Sequence, residues 1–215
     1  MKVLFLSDFF SHSFSGGAES NDENLINYLV LEGLEIKKAS CASITPSDLK
    51  QYDQIIVSNF THLSADCIAQ LIKDKNFIIY EHDHKYVATR DPSKFSNFEI
   101  PIHLLVNQDF YQAAKVVVVL SKVCKDILEK NISDINVHNI GCSLWSSEKL
   151  DFIESLLSKE KKGKFVIVDS PNPIKGTEEA KRICAGKNID YDLLKMIVTG
   201  KLSFFLFAQQ RFNKI

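Results

Sequence analysis

The chain has 215 residues, 45% apolar and 25% charged, a balance that excludes disorder as its main state. Its net charge of -1 gives no general pull toward nucleic acid or an anionic membrane. No run is long enough to span a bilayer, and the apolar opening Val3–Leu6 stops at Ser7-Asp8, too early for a signal-peptide core.

Five cysteines without a C-x-x-C pair read as scattered reduced thiols, which places the expected location in the cytoplasm. Short apolar, β-branched runs then alternate with helical periods. The predicted strands are Val3–Leu6, Glu35–Ala39, Gln54–Val57, Phe77–Tyr80, Val116–Leu120 and Asn136–Ile140. Helical patterns fill the gaps at Ala18–Glu32, Ala65–Lys73 and Ser121–Lys130. In the first of these, Leu25, Ile26, Leu29 and Val30 form one face, while Asp22, Glu23 and Asn27 form the other. Gly33 stands where that helix should end, and Ser121 is the expected N-cap of its helix. A strand apolar at every residue, such as Val116–Leu120, needs both faces covered. The expected fold is therefore α/β, a doubly wound, Rossmann-like parallel sheet flanked by helices.

A helix at Ser147–Leu157 closes this first domain, residues 1–157, and a lysine-rich linker, 158–164, follows. A second α/β unit starts at Phe165–Val168, with a loop Asp169–Gly176 and a helix Thr177–Ala185. From Leu193 to Ile215 there is no acidic residue, and Leu202–Ala208 is rich in Phe. A membrane-surface helix would suit such a tail, but a truncated or out-of-frame end to the coding region suits it better. The second domain, 165–215, is thus expected to be incomplete.

Three places could carry chemistry. The loop Ser7–Gly17 leaves the carboxyl end of the first strand, where open α/β sheets bind ligands. Gly16-Gly17 lets the backbone approach a ligand, and the free N–H groups of the following helix suit a phosphate, although two glycines also serve a plain tight loop. No G-x-G-x-x-G and no P-loop are present, and strand two ends at Lys38-Ala39-Ser40 without an acid to grip a ribose, so dinucleotide binding is disfavoured. The second place is Glu81-His82-Asp83-His84. If extended, it puts His82 and His84 on one side, and Glu81 and Asp83 on the other. His82 and Asp83 could orient a hydroxyl or a sugar; as metal ligands the two imidazoles need a third partner, His62 or His103; as plain loop residues they need nothing. The third is Lys175-Gly176, a lysine beside a helix N-terminus that could hold phosphate oxygens.

Taken in order, several stretches resemble retaining glycosyltransferases of the GT-B fold, glycosyltransferase family four. The carriers are the strand Lys2–Leu6 with Ser15-Gly16-Gly17-Ala18-Glu19, the strand Val116–Leu120 with Ser121-Lys122, the run Asn136–Gly141, and Pro173-Ile174-Lys175-Gly176, which is similar to the Pro-Glu-Lys-Gly loop of the donor domain. The resemblance covers residues 1 to 190, a whole acceptor domain and one βα step of a donor domain. It implies transfer of a sugar, with retention, from a nucleotide-sugar to a hydroxyl acceptor, glycan or lipid-linked, without cofactor or metal. It implies no nucleic-acid partner and no transmembrane segment, with peripheral membrane contact open. By the same resemblance Gly16, Gly17 and Glu19 lie near donor and acceptor, His82 and Asp83 are catalytic, and His84 contacts substrate. Lys175 and Gly176 hold the departing nucleoside diphosphate. Two departures stand out. Ser170 occupies the place of a family arginine, and no glutamate follows Glu179, so the paired-glutamate donor site is missing and nucleotide-sugar binding by these residues should be weak. The alternatives are a non-catalytic Rossmann-like binding module and a metal-dependent hydrolase built on His82 and His84.

Overall fold

The computed structural model describes residues 1–14, 16–158 and 163–195, and the chain divides into two compact units, Met1–Ser146 and Ser147–Ile215. The division thus falls ahead of the helix that the sequence reading assigned to the first domain.

In the first unit six strands form one parallel sheet: β1 (Lys2–Ser7), β2 (Glu35–Ser40), β3 (Gln54–Val57), β4 (Phe77–Glu81), β5 (Val116–Val119) and β6 (Val137–Asn139), in the order β2-β1-β3-β4-β5-β6. Five helices cross between them: α1 (Gly17–Leu31), α2 (Pro46–Leu49), α3 (Ala65–Asp74), α4 (Gln108–Ala113) and α5 (Lys122–Asn131). The expected doubly wound α/β architecture is what the structure shows. The apolar run of each central strand splits by alternation into two cores. Leu4, Leu6, Ile55, Val57, Phe77, Ile79, Val117 and Val119 belong to one, with Leu71, Phe110 and Leu128 from α3, α4 and α5. Val3, Phe5, Ile56 and Tyr80 belong to the other, with Ile26 of α1.

Local signals set the helix ends. Gly33, at φ +82, follows α1; its N–H donates to Val30 O and that of Leu34 to Leu29 O, the paired bonds of a Schellman stop. Ser121 Oγ accepts from Cys124 N at 3.2 Å and caps α5 as expected.

In the second unit α6 (Ser147–Leu157) has the span read from the sequence. β7 (Phe165–Asp169), α7 (Thr177–Gly186) and β8 (Tyr191–Lys195) form a βαβ step, with β8 parallel to β7. That is one strand more than the sequence pattern disclosed. Most of the linker and residues 196–215 of the acid-free tail lie outside the described residues. No helix among the described residues is long and apolar enough to cross a membrane.

Candidate functional site

From β1 the chain crosses outward to β2 and then back past β1 to β3, so the crossovers diverge between β1 and β3. A crevice opens at the carboxyl ends of strands at such a point. Ser7 ends β1, Ser58 follows β3 and His82 follows β4, so three polar side chains reach the same edge. Asp22 of α1 meets all of them. Its carboxylate is fully buried, accepts from Ser58 Oγ at 2.8 Å and Ser7 Oγ at 3.2 Å, and lies 2.9 Å from His82 Nε2. A carboxylate only accepts, so this contact assigns a proton to Nε2 of His82.

This corrects the reading of α1. Asp22 was expected on the solvent face, yet Glu19, Asn21, Asp22 and Asn24 are buried, while Val30 and Leu31 are exposed. The first half of the helix covers a polar strand edge, so its inward residues are polar. Only the second half packs on apolar core, through Ile26 with Leu25 and Leu29 against it.

Gly16 is the N-cap of α1 and Gly17 its first residue. A Cβ on Gly16 would run into the Glu19 carboxylate, which folds back over the start of the helix. The helix N-terminus that invited a phosphate therefore already faces a carboxylate of its own. Burial pushes the Glu19 carboxyl up; its own N–H opposes this, and Asp22 and Asp83 push the same way as burial. Three carboxylates beside one imidazole favour hydroxyl donors over a bare anion.

The segment after β4 does not stay extended. His84 takes φ +55, and Val87 N–H closes a turn on His84 O at 2.9 Å. His82 and His84 consequently part instead of sharing a side. His82 goes to Asp22 and stands edge-on to Tyr80 at 4.6 Å, whereas His84 Nδ1 lies 2.9 Å from the Tyr86 hydroxyl. A hydrogen bond to His84 also holds the Cys124 thiol below its usual range, against the opposing effect of burial. Among the described residues no group of three or more His, Cys, Asp or Glu side chains could hold a metal ion, so the hydrolase alternative finds no site there. Asp83 is the exposed member of the cluster, its side chain 46% accessible against 4% for His82.

On the other face of β4, Glu81 is sealed in. It accepts from the Tyr111 hydroxyl, from Asp83 N at 2.6 Å and from Lys85 Nζ at 3.3 Å. Burial alone would raise its carboxyl, but the Lys85 ammonium and these donors outweigh burial and bring it down to about 2.

Two ties fix the surrounding loops. Asp8 accepts from Thr61 N at 2.8 Å, the Thr61 hydroxyl and His62 N at 3.0 Å, joining the loops after β1 and β3. The segment after β6 is strapped to α1: Asn21 Oδ1 accepts from Leu144 N at 2.7 Å, Asn24 Nδ2 donates to Leu144 O at 2.8 Å, and Tyr28 donates to Trp145 O at 3.1 Å. The Tyr80 hydroxyl is buried and has no hydrogen-bond partner among the described residues; burial, then Asp22 and Cys142, keep it firmly protonated.

In the second unit Lys175 is exposed and ends a tight turn, Pro173–Lys175. Gly176 caps α7 at φ +66, a conformation that favours glycine. Thr177 behind it donates to Val168 O at 2.7 Å and accepts from Ser170 N at 3.2 Å. The sequence reading missed Asp22, Ser7 and Ser58. The available signal was a polar residue directly after each of three parallel strands, since parallel strands deliver their ends to one edge.

The first-unit sheet, with its polar strand-end edge, defines a doubly wound, Rossmann-like α/β fold. The chain is similar to an alpha-glucosyltransferase solved with UDP-glucose and DNA containing an abasic site, at a TM-score of 0.51 and 11% identity over 98% of this chain and 60% of that one. The alpha-glucosyltransferase solved with UDP gives a TM-score of 0.51 and 11% identity, over 98% and 61% of the two chains. The chain thus spans about 60% of the length of these structures. No protein-family model matches it, and no curated protein matches it in sequence.

Proposed function

We propose that the chain belongs to a glycosyltransferase that moves a sugar, with retention, from a nucleotide-sugar to a hydroxyl acceptor. The observation that carries this is the cluster Glu19, Asp22, His82 and Asp83 at the strand ends of a glycosyltransferase-like fold. Carboxylates accept hydrogen bonds, and sugars offer hydroxyl donors. Asp83, the exposed carboxylate, meets the acceptor hydroxyl and takes its proton as the oxygen attacks the anomeric carbon. The bond to the nucleoside diphosphate breaks on the same face of the sugar on which the new bond forms, as retention requires, and the leaving group carries away the electron pair. Asp22 and His82 hold the backbone from which Asp83 projects. Lys175 and the N–H groups at the start of α7 offset the charge that develops on the departing diphosphate. The sugar donor is a co-substrate, and the chain's near-neutral charge favours a glycan or lipid-linked acceptor over a polyanion.

The test is to incubate the longest polypeptide its gene encodes with tritium-labelled UDP- and GDP-sugars and a pool of glycan and lipid acceptors. The expected result is label in an acceptor or slow release of free sugar, lost on Asp83→Asn. If the folded polypeptide shows neither donor binding nor donor breakdown, the reading fails.

A further inference from the structure

A cavity of about 420 Å³ lies on the Glu81 side of β4, away from the Asp22 cluster. Phe60, Thr61 and Leu63 come to it from the loop after β3, and Lys85, Val87 and Arg90 from the segment after β4; Val106 and Asn107 close it. Its size is that of a small-molecule site, and its walls combine apolar side chains with a few cationic and amide groups.

The charges in this wall are not equivalent. Lys85 is 2% exposed, bonds Glu81 at 3.3 Å, lies 3.8 Å from Asp83 and sits over the Phe60 ring. It is therefore neutralised by its surroundings. Arg90 is exposed, and its guanidinium has no acceptor among the described residues, so it stands as a free, solvated cation at the rim of the cavity.

The backbone that presents Arg90 is also unusual. His84 and Arg90 both take positive φ, +55 and +54, in two successive turns closed by Val87 N to His84 O and Arg90 N to Val87 O. Neither residue is glycine or asparagine, so each conformation is unfavourable in isolation and persists because its surroundings impose it. Those surroundings are a set of cross-links: Ala88 N–H donates to Leu104 O, Val106 N–H to Tyr86 O, and Asn107 Nδ2 to Lys85 O. Strained residues held this way cluster at ligand clamps.

We propose that this cavity binds a small organic anion, with Arg90 gripping its carboxylate or phosphate head while Phe60, Leu63, Val87 and Val106 enclose an apolar body. The cavity adjoins the sugar-transfer site through Lys85, which lies 3.8 Å from Asp83, but it opens on the other side of β4 and uses none of Glu19, Asp22 or His82. The Asn107 amide, one N–H of which goes to Lys85 O, has a second N–H to donate to a remaining head-group oxygen.

The test is titration of the whole chain with phenyl phosphate, benzoate and uncharged benzyl alcohol, followed by backbone amide NMR. Shifts are expected at Val87, Ala88, Val106 and Asn107 for the anions, and the stronger of the two identifies the head group. Arg90→Ala should weaken anion binding about ten-fold or more, the usual worth of a charge-assisted hydrogen bond, without altering the response to benzyl alcohol. Ala88→Phe, which fills the mouth and keeps Arg90, should abolish both. Thermal unfolding of each variant establishes that it is folded. Equal binding of benzyl alcohol and the anions, unchanged affinity in folded Arg90→Ala, shifts elsewhere, or no binding up to the solubility limit would each overturn the proposal.

Discussion

On one side of the end of β4, Glu81 is buried against a cation, a phenol and a backbone N–H; on the other, Asp22 is equally buried but meets only two serine hydroxyls and one imidazole, with Glu19 and Asp83 nearby. The first arrangement stabilises the charged form and is closed to further partners. The second gathers acceptors without supplying a fixed cation, so it has use for donors brought by a ligand. Two carboxylate clusters on opposite sides of the end of β4 thus divide the work, Glu81 anchoring the segment after the strand and Asp22 of α1 with its neighbours shaping a site.

The largest expected effect tests the anchor. Glu81→Gln strands the Lys85 ammonium in the interior and should cost about 3–5 kcal/mol in urea unfolding, as broken buried pairs do. A loss under about 1 kcal/mol would show that water reaches Lys85 and that the two sides are not so different. Acid should expose the same contrast. The Glu81 carboxyl sits at about 2 when folded against an ordinary 4.5, so the unfolded chain binds the extra proton between those values. Its stabilisation, on the order of 3 kcal/mol, is complete above pH 4.5 and is lost as pH falls toward 2. Tyr111→Phe should move that loss to higher pH.

Asp22→Ala comes next in size. It leaves Ser7, Ser58 and His82 without their common acceptor and should cost about 1–3 kcal/mol, with the His82 ring resonances broadened or shifted. Smallest is Glu19→Gln. The Glu19 carboxyl is raised when folded, so its contribution is present at low pH and declines as pH rises through its folded value. The substitution should flatten that decline by a few tenths of a kcal/mol and, by freeing the start of α1, tighten inorganic pyrophosphate binding severalfold. Unchanged pyrophosphate affinity would show that Glu19 does not occupy the anion position.

Much of this architecture could be read from residues. All six strands of the sheet were legible to within one or two positions, the central ones most plainly, because strands covered on both faces must be apolar throughout, whereas the edge strands β2 and β6 carry charged and polar residues. The span of α6 was also plain. Short elements were not: α2 and α4 have four and six residues, too few for a helical period to repeat. The site was half legible. Gly16, Gly17 and the polar run after β4 announced a strand-end edge, but the divergence of His82 from His84 depends on a positive φ at an ordinary histidine, which no local pattern signals. Asp22 was misplaced for a related reason. Hydrophobic periodicity assumes that inward means apolar, and a helix covering polar strand ends reverses that rule.

The strap from Leu144 and Trp145 back to α1 also has a meaning for how the chain is made. Asn21 and Asn24 are synthesised 123 and 120 positions before Leu144, the residue they hold. At about 5–20 residues per second, α1 waits on the order of ten seconds before its polar side can be fastened. Until then it can dock on β1 through Ile26 and its neighbours, but with two buried amides still lacking their distant partners. The domain is therefore finished by a late stitch across its whole length, closed only when Leu144 reaches Asn21 and Asn24.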